Sequence, residues 1–295
     1  VMTLVDESRQ SALMQKLDGL HKKRQCGGSA ANTLIALCQM GGKAFYSCKV
    51  SSDETGDFYY SDLLQNGAKT NLNDKRPAGV TGKCMVFVTP DADRTMNTYL
   101  GITETLSVHE IDEEALSQSE YLYIEGYLLA SKTGKEAAVR ARELAQKHGV
   151  KVALTFSDPF MVKTFRQNFL DIIGDGIDLI FANQAEACAF AQKEDVYVAS
   201  KILRNYCKSY AVTLGPKGAH LYDGHDEHKE VEIVAEKVDA VDTNGAGDIF
   251  AGSFLYALTH GKNFNQAGSL ACHAASYLVT KFGPRLRAEE TLKIK

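Results

Sequence analysis

From residue 105 onward, short apolar runs alternate with amphipathic helical stretches, and no other feature of the sequence restricts the fold as much. The pattern predicts strands over 121–124, 150–156, 177–181 and 210–214, with shorter ones at 231–234 and 238–241. Helices are predicted over 132–148, 185–192, 198–208, 245–259 and 265–281. Parallel strands need long crossovers, and helices on both faces supply them. The expected fold class is therefore α/β: a mainly parallel central sheet covered by helices on both faces. Upstream, helices are predicted over 7–17, 29–40 and 54–66, with a strand over 44–50. The rhythm breaks at 81–100, where the period becomes two around Pro90-Asp91-Ala92-Asp93-Arg94. That predicts a hairpin, part of a small β lid drawn mainly from residues 70–105. Without linker or repeat, the whole of 1–295 reads as one domain.

Composition narrows the function. Apolar residues make up 44% and charged residues 24%, ordinary globular values, and the net charge is −4. A chain with no basic excess lacks the phosphate-neutralising field that nucleic-acid binding requires. Seven cysteines are scattered and never spaced C-x-x-C, so they read as reduced side chains without a structural zinc. The stretch 25–42 is uncharged but too polar to span a bilayer. The opening VMTLVDESRQ shows no basic run before an apolar one, so no secretory leader is expected. These features predict a cytoplasmic protein acting on a small molecule, with neither nucleic acid nor membrane as partner.

The segment Val241-Asp242-Thr243-Asn244-Gly245-Ala246-Gly247-Asp248 carries the chemistry. A strand-like run ends, small residues turn the chain, and a helix opens among the glycines. Free N–H groups at a helix start, unobstructed by side chains, form a site for phosphate oxygens. Asp248 falls in the first helical turn, where the positive end of the helix favours a carboxylate. A carboxylate beside an anion hole suits phosphoryl transfer to a hydroxyl: the base takes the proton while the amides face developing charge. A tight turn with a surface aspartate is the alternative.

Other segments have weaker readings of the same kind. Gly27-Gly28 before a buried helix places N–H groups and Asn32 at a second helix start. Glu186 could hold hydrated magnesium through water. Thr213, Gly215, Lys217 and Gly218 form a turn after an apolar strand, at the carboxyl edge where open α/β sheets bind ligands. Arg94 in the hairpin could swing over a transferring phosphoryl group. His225-x-x-His228 sits in a polar turn with no third ligand and reads as a solvated loop. Neither G-x-x-x-x-G-K-[ST] nor G-x-G-x-x-G occurs.

Taken together these segments resemble the ribokinase (PfkB) family of carbohydrate and nucleoside kinases over nearly the whole chain. Asp242-Thr-Asn-Gly-Ala-Gly-Asp248 resembles its D-T-x-G-A-G-D signature, and Gly27-Gly28-Ser29-Ala30-Ala31-Asn32 its early G-G-x-x-x-N element. Asn183-Gln-Ala-Glu186 resembles its N-x-x-E motif, and Thr213-Leu-Gly215-Pro-Lys217-Gly218 its nucleotide-binding turn. The resemblance implies a ribokinase-like kinase using ATP and Mg²⁺, in which Asp248 is the base and Gly245, Ala246 and Gly247 form the anion hole. It implies that Gly27, Gly28 and Asn32 bind the acceptor. Asn183, Glu186, Thr213, Gly215, Lys217, Gly218, Thr243 and His273 would serve ATP, with Glu186 also placing magnesium. Asp242 would belong to a monovalent-cation loop open to K⁺. The Gly-Gly-Ser-Ala-Ala-Asn-Thr stretch and the Asp-x-Arg-Thr-Met hairpin look closer to adenosine kinases than to ribokinase. A nucleoside is therefore favoured over a sugar as the substrate of a monomer or of a homodimer joined through the lid. The family's first strand bears an acceptor-binding aspartate in a G-N-x-x-x-D-like stretch, whereas VMTLVDE reads as the segment after it. Asp6 is a poor substitute, which keeps open a ligand-binding regulator without turnover.

Overall fold

The computed structural model describes residues 2–17, 24–88, 94–225 and 229–294. Its central sheet has six strands in the order β11-β10-β9-β8-β7-β6. These are β6 (Tyr121–Glu125), β7 (Lys151–Thr155), β8 (Ile177–Asn183), β9 (Cys207–Thr213), β10 (Ala219–Asp223) and β11 (Lys229–Ile233). The first four are parallel, and β10 and β11 return antiparallel at one edge.

Side chains alternate between two buried layers, as strand geometry requires. On one face Val152, Leu154, Ile180 and Val212 pack against α5 (Lys132–His148), α6 (Pro159–Ile173), α7 (Gln184–Ala191) and α8 (Val196–Leu203). On the other, Ala153, Leu179, Phe181 and Ala211 meet α9 (Ala246–Thr259), α10 (Phe264–Leu278) and Leu37 of α2 (Ser29–Gln39). Both faces of the central strands are apolar because both are covered. The remaining elements are α1 (Glu7–Lys16), α3 (Glu54–Gln65), α4 (Glu113–Ser117) and α11 (Ala288–Thr291). The strands β2 (Phe45–Tyr46) and β3 (Lys69–Thr70) form a separate parallel pair.

A three-stranded sheet stands apart from the central one, in the order β1-β5-β4. Here β4 (Thr81–Val88) and β5 (Arg94–Gly101) are the antiparallel hairpin, and its 89–93 turn lies outside the described residues. The strand β1 (Met2–Leu4) joins β5 in parallel, a pairing the sequence reading gave to no strand.

Three further expectations need correction, and one helix has no counterpart among them. The strand over 44–50 shrinks to Phe45–Tyr46. The helix over 198–208 runs from Val196 to Leu203, because Asn205 and Tyr206 turn the chain and Cys207 already belongs to β9. No strand forms at 238–241: the N–H groups of Val241 and Asp242 both donate to the Val279 carbonyl, at the end of α10. Helix α6 was missed, although Asp158 caps it and Pro159 starts it. No helix among the described residues is long and apolar enough to cross a membrane.

Candidate active site

Two helix starts and one strand end meet at a single point. Approaching α9, buried Asp242 accepts the N–H groups of Asn244 and Gly283, both at 2.9 Å, and so shapes the turn. Gly245 follows with φ +77°, and a Cβ there would lie 2.3 Å from the Pro284 carbonyl oxygen. Only glycine meets both conditions. The first turn of α9 then presents its N–H groups and Asp248 to a cavity.

Helix α2 reaches the same cavity because α9 is small where they cross. A Cβ on Gly252 would stand 2.3 Å from the Thr33 carbonyl oxygen, so any side chain would push the helices apart. The close crossing brings Ser29 and Asn32 onto Asp248. Ser29 donates from Oγ to Oδ1 at 2.7 Å, and Asn32 from Nδ2 to Oδ2 at 2.9 Å. Asn32 is buried, and its Oδ1 has no hydrogen-bond partner. An orphaned buried oxygen costs about 1–3 kcal/mol until a donor arrives.

Strand β6 supplies a residue that the sequence reading missed. Glu125, at its carboxyl end, accepts the Ala30 N–H at 2.6 Å and closes the start of α2, where Gly28 offers no side-chain cap. Desolvation in the cavity wall, with the Asp248 charge adding to it, raises the Glu125 carboxyl to about 7. The signal available was positional: an acid directly after an apolar parallel strand, at the ligand-binding edge. Ser157 at the end of β7 was missed too; it holds φ +68° and its Oγ accepts the Gly126 N–H at 2.9 Å.

The Glu125 shift predicts a pH dependence. Between pH about 4.5 and about 7 the native carboxyl keeps a proton that the unfolded chain releases, so this group lowers stability as pH rises. Thermal melts across that range should show wild type losing stability upward in pH, with Glu125→Gln losing visibly less. Equal slopes in the two proteins would contradict the assignment.

On the carboxyl edge, Asn183 and Glu186 cap α7 reciprocally. Glu186 accepts the Asn183 N–H at 2.9 Å and Nδ2 at 2.6 Å, while Asn183 Oδ1 accepts the Glu186 N–H at 2.9 Å. The Glu186 side chain is buried, and desolvation, reinforced by Asp158 and Asp248, raises it to about 7. A buried carboxyl without a cationic partner among the described residues suits a cation arriving with its own ligands, as Mg²⁺ does on a polyphosphate. Among the described residues no group of three His, Cys, Asp or Glu side chains forms a metal cluster.

The cavity measures about 2460 Å³, beyond the roughly 300–1,000 Å³ of a single small-molecule site. Gly27, Gly28 and Asn32 line one side, Asp242 to Asp248 another, and Asn183, Glu186 and Thr213 the carboxyl edge. Gly215, Lys217 and Gly218 sit in the β9–β10 turn and His273 on α10, all outside that wall. Lys217 is exposed, and His273 Nδ1 is 2.5 Å from Glu236 Oε1. Arg94 opens β5 opposite Val88, and its side chain lies outside the described residues.

A family model described as pfkB family carbohydrate kinase matches residues 4–291. The chain is 28% identical over 278 residues to the ribokinase of Haemophilus influenzae, covering 91% of this chain and 86% of that one. Among solved structures, a probable sugar kinase from Rhizobium etli matches with TM-score 0.90 and 33% identity, over 99% of this chain and 88% of that one. Adenosine kinase from Sinorhizobium meliloti matches with TM-score 0.88 at the same identity and coverage.

Proposed function

The chain belongs to the PfkB family of carbohydrate kinases, with a ribokinase-like α/β fold, and within that family we propose that it phosphorylates a primary hydroxyl of a nucleoside, adenosine first among them. It is a sugar or nucleoside kinase; the nucleoside, the ATP site and the residue roles are our reading. The observation that carries it is Asp248, held by Ser29 and Asn32 where two helix starts converge.

In this reading the acceptor hydroxyl lies against Asp248, which takes its proton as the oxygen attacks the γ-phosphorus and the bond from that phosphorus to the bridging oxygen of ADP breaks, ADP leaving. The first-turn N–H groups of α9, from Gly245 through Gly247, face the charge that develops on the phosphoryl oxygens. Gly27, Gly28 and Asn32 hold the acceptor, and one of its donors satisfies Asn32 Oδ1. Glu125 stands ready for a further acceptor hydroxyl. Asn183 and Glu186 would hold hydrated Mg²⁺, which when bound neutralises phosphate charge. Thr213 and Thr243 would lie along the ATP phosphates, with Gly215, Lys217, Gly218 and His273 farther out toward the base. Arg94 would approach from the lid, and Asp242 would shape a K⁺-responsive loop.

The lid side supports a nucleoside over a free sugar. Leu4, Met14, Met85, Phe87 and Met96 line the cavity there, and Phe58 lines it too. Such a surface covers a flat base better than it covers sugar hydroxyls. ADP release from Mg-ATP, with adenosine, inosine, ribose and fructose offered separately, tests the reading. Faster release with a nucleoside supports it, and preference for ribose or fructose would move the assignment to a sugar. Silence on all four with ATP bound would favour a binding-only regulator.

A further inference from the structure

Between the two halves of the site runs a link that neither half explains. The strap from Phe282 to Leu286 is anchored at three points, two on the α9 side and one on the end of α2. Its Gly283 N–H donates to Asp242 Oδ2 at 2.9 Å, its Pro284 backbone lies against Gly245, and its Leu286 carbonyl accepts Gln39 Nε2 at 3.2 Å. Arg285, in the middle, turns the other way. Its side chain is only 7% exposed; Nη2 donates to Asp62 Oδ2 of α3 at 2.9 Å and Nη1 to Cys26 Sγ at 3.3 Å. The same Asp62 oxygen accepts the Cys26 N–H at 2.7 Å. Cys26 is buried and directly precedes Gly27 and Gly28, and Tyr59 of α3 donates to the Gly27 carbonyl at 2.8 Å.

We propose that Arg285 is a positioning residue for acceptor binding: through Asp62 and Cys26 it fixes the Gly27-Gly28 loop to the strap that backs the phosphate loop. The geometry predicts an asymmetric effect. When Arg285 is removed the strap keeps its two α9-side anchors, Asp242 and Gly245, so the α9 side holds. The loop at 26–28 depends on Asp62, which then loses the cation that holds its carboxylate in place. A lysine preserves the charge but cannot reach both Asp62 and Cys26 from one planar fork, so it restores only part of the effect.

The inference rests on the kinase reading above, through the acceptor role of Gly27 and Gly28. The test is Arg285→Met, Arg285→Lys, Asp62→Asn and the Arg285→Met/Asp62→Asn double variant. Each is assayed for KM of ATP and of whichever of adenosine, inosine, ribose or fructose wild type turns over fastest, with a melting curve as control. We expect acceptor KM to rise about tenfold or more in Arg285→Met, with ATP KM within about twofold and Arg285→Lys in between. The double variant should be no worse than the poorer single one, because the residues act as one unit. Unchanged acceptor KM while wild type transfers phosphate would overturn this inference and leave the kinase reading intact. Equal rises in both KM values would reduce Arg285 to a structural staple and overturn it as well. Wild type that neither binds nor phosphorylates any of the four acceptors would overturn both.

Discussion

Replacing Asp248 with asparagine is expected to lower kcat by about 10²–10⁴-fold, the usual contribution of a positioned acid–base group, and to leave the fold intact. Asparagine keeps the shape; with its oxygen toward Asn32 Nδ2 its NH2 faces Ser29 Oγ, which can accept in place of the donation it makes to Asp248. What it cannot do is take a proton from an acceptor hydroxyl. A second consequence follows from charge. Asp248 helps to raise both Glu125 and Glu186, so neutralising it should bring both carboxyls down toward their ordinary range. Turnover, melting temperature and a carboxyl titration followed by NMR check these together. Wild-type kcat in the variant would remove Asp248 from the chemistry.

The other large effect is on stability. Phe254 is fully buried in α9, one face of the helix that carries Asp248. Its ring meets Phe181 edge-on at 5.6 Å and Phe264 at 5.0 Å, and stacks with Phe250 at 5.9 Å. Truncating such a residue costs about 3–5 kcal/mol, through lost burial and the cavity left behind. Against a total stability of roughly 5–15 kcal/mol, Phe254→Ala should shift urea unfolding strongly toward lower denaturant, and Phe254→Leu should recover much of the loss. Because the aromatic cluster lies under the sheet-facing side of α9, activity per folded molecule should change far less than stability. A loss below about 1 kcal/mol would mean that this cluster is not what seats α9 on the sheet.

How far the sequence could be read depends on whether a residue's role is local. Gly245 and Asp248 were legible because turn, helix start and carboxylate fall within a few consecutive residues, and physical reasoning needs nothing distant to connect them. Asn32 was legible for the same reason, one turn into its helix. Glu125 was not: its partner, the Ala30 N–H, is 95 residues away, and a single acid after an apolar run carries no spacing pattern. Arg285 and Asp62 are 223 residues apart, so nothing local links them. In the fold, long amphipathic helices such as α5 followed from periodicity alone. The residues 238–241 deceived because valine-rich sequence marks extended backbone, whereas only tertiary contact decided that it would bond the end of α10 instead of a strand. Helix α6 shows the reverse failure, since its capping aspartate and starting proline were present and were passed over.

The central claim is that this site moves a phosphoryl group to a hydroxyl. It is tested most directly by following label from [γ-³²P]ATP in the presence of Mg²⁺ and adenosine, with the products separated and weighed by mass spectrometry. The account predicts labelled nucleoside monophosphate from wild type and almost none from Asp248→Asn in the same time. Label that stays on ATP or appears only as free phosphate, whichever acceptor is offered, would contradict it.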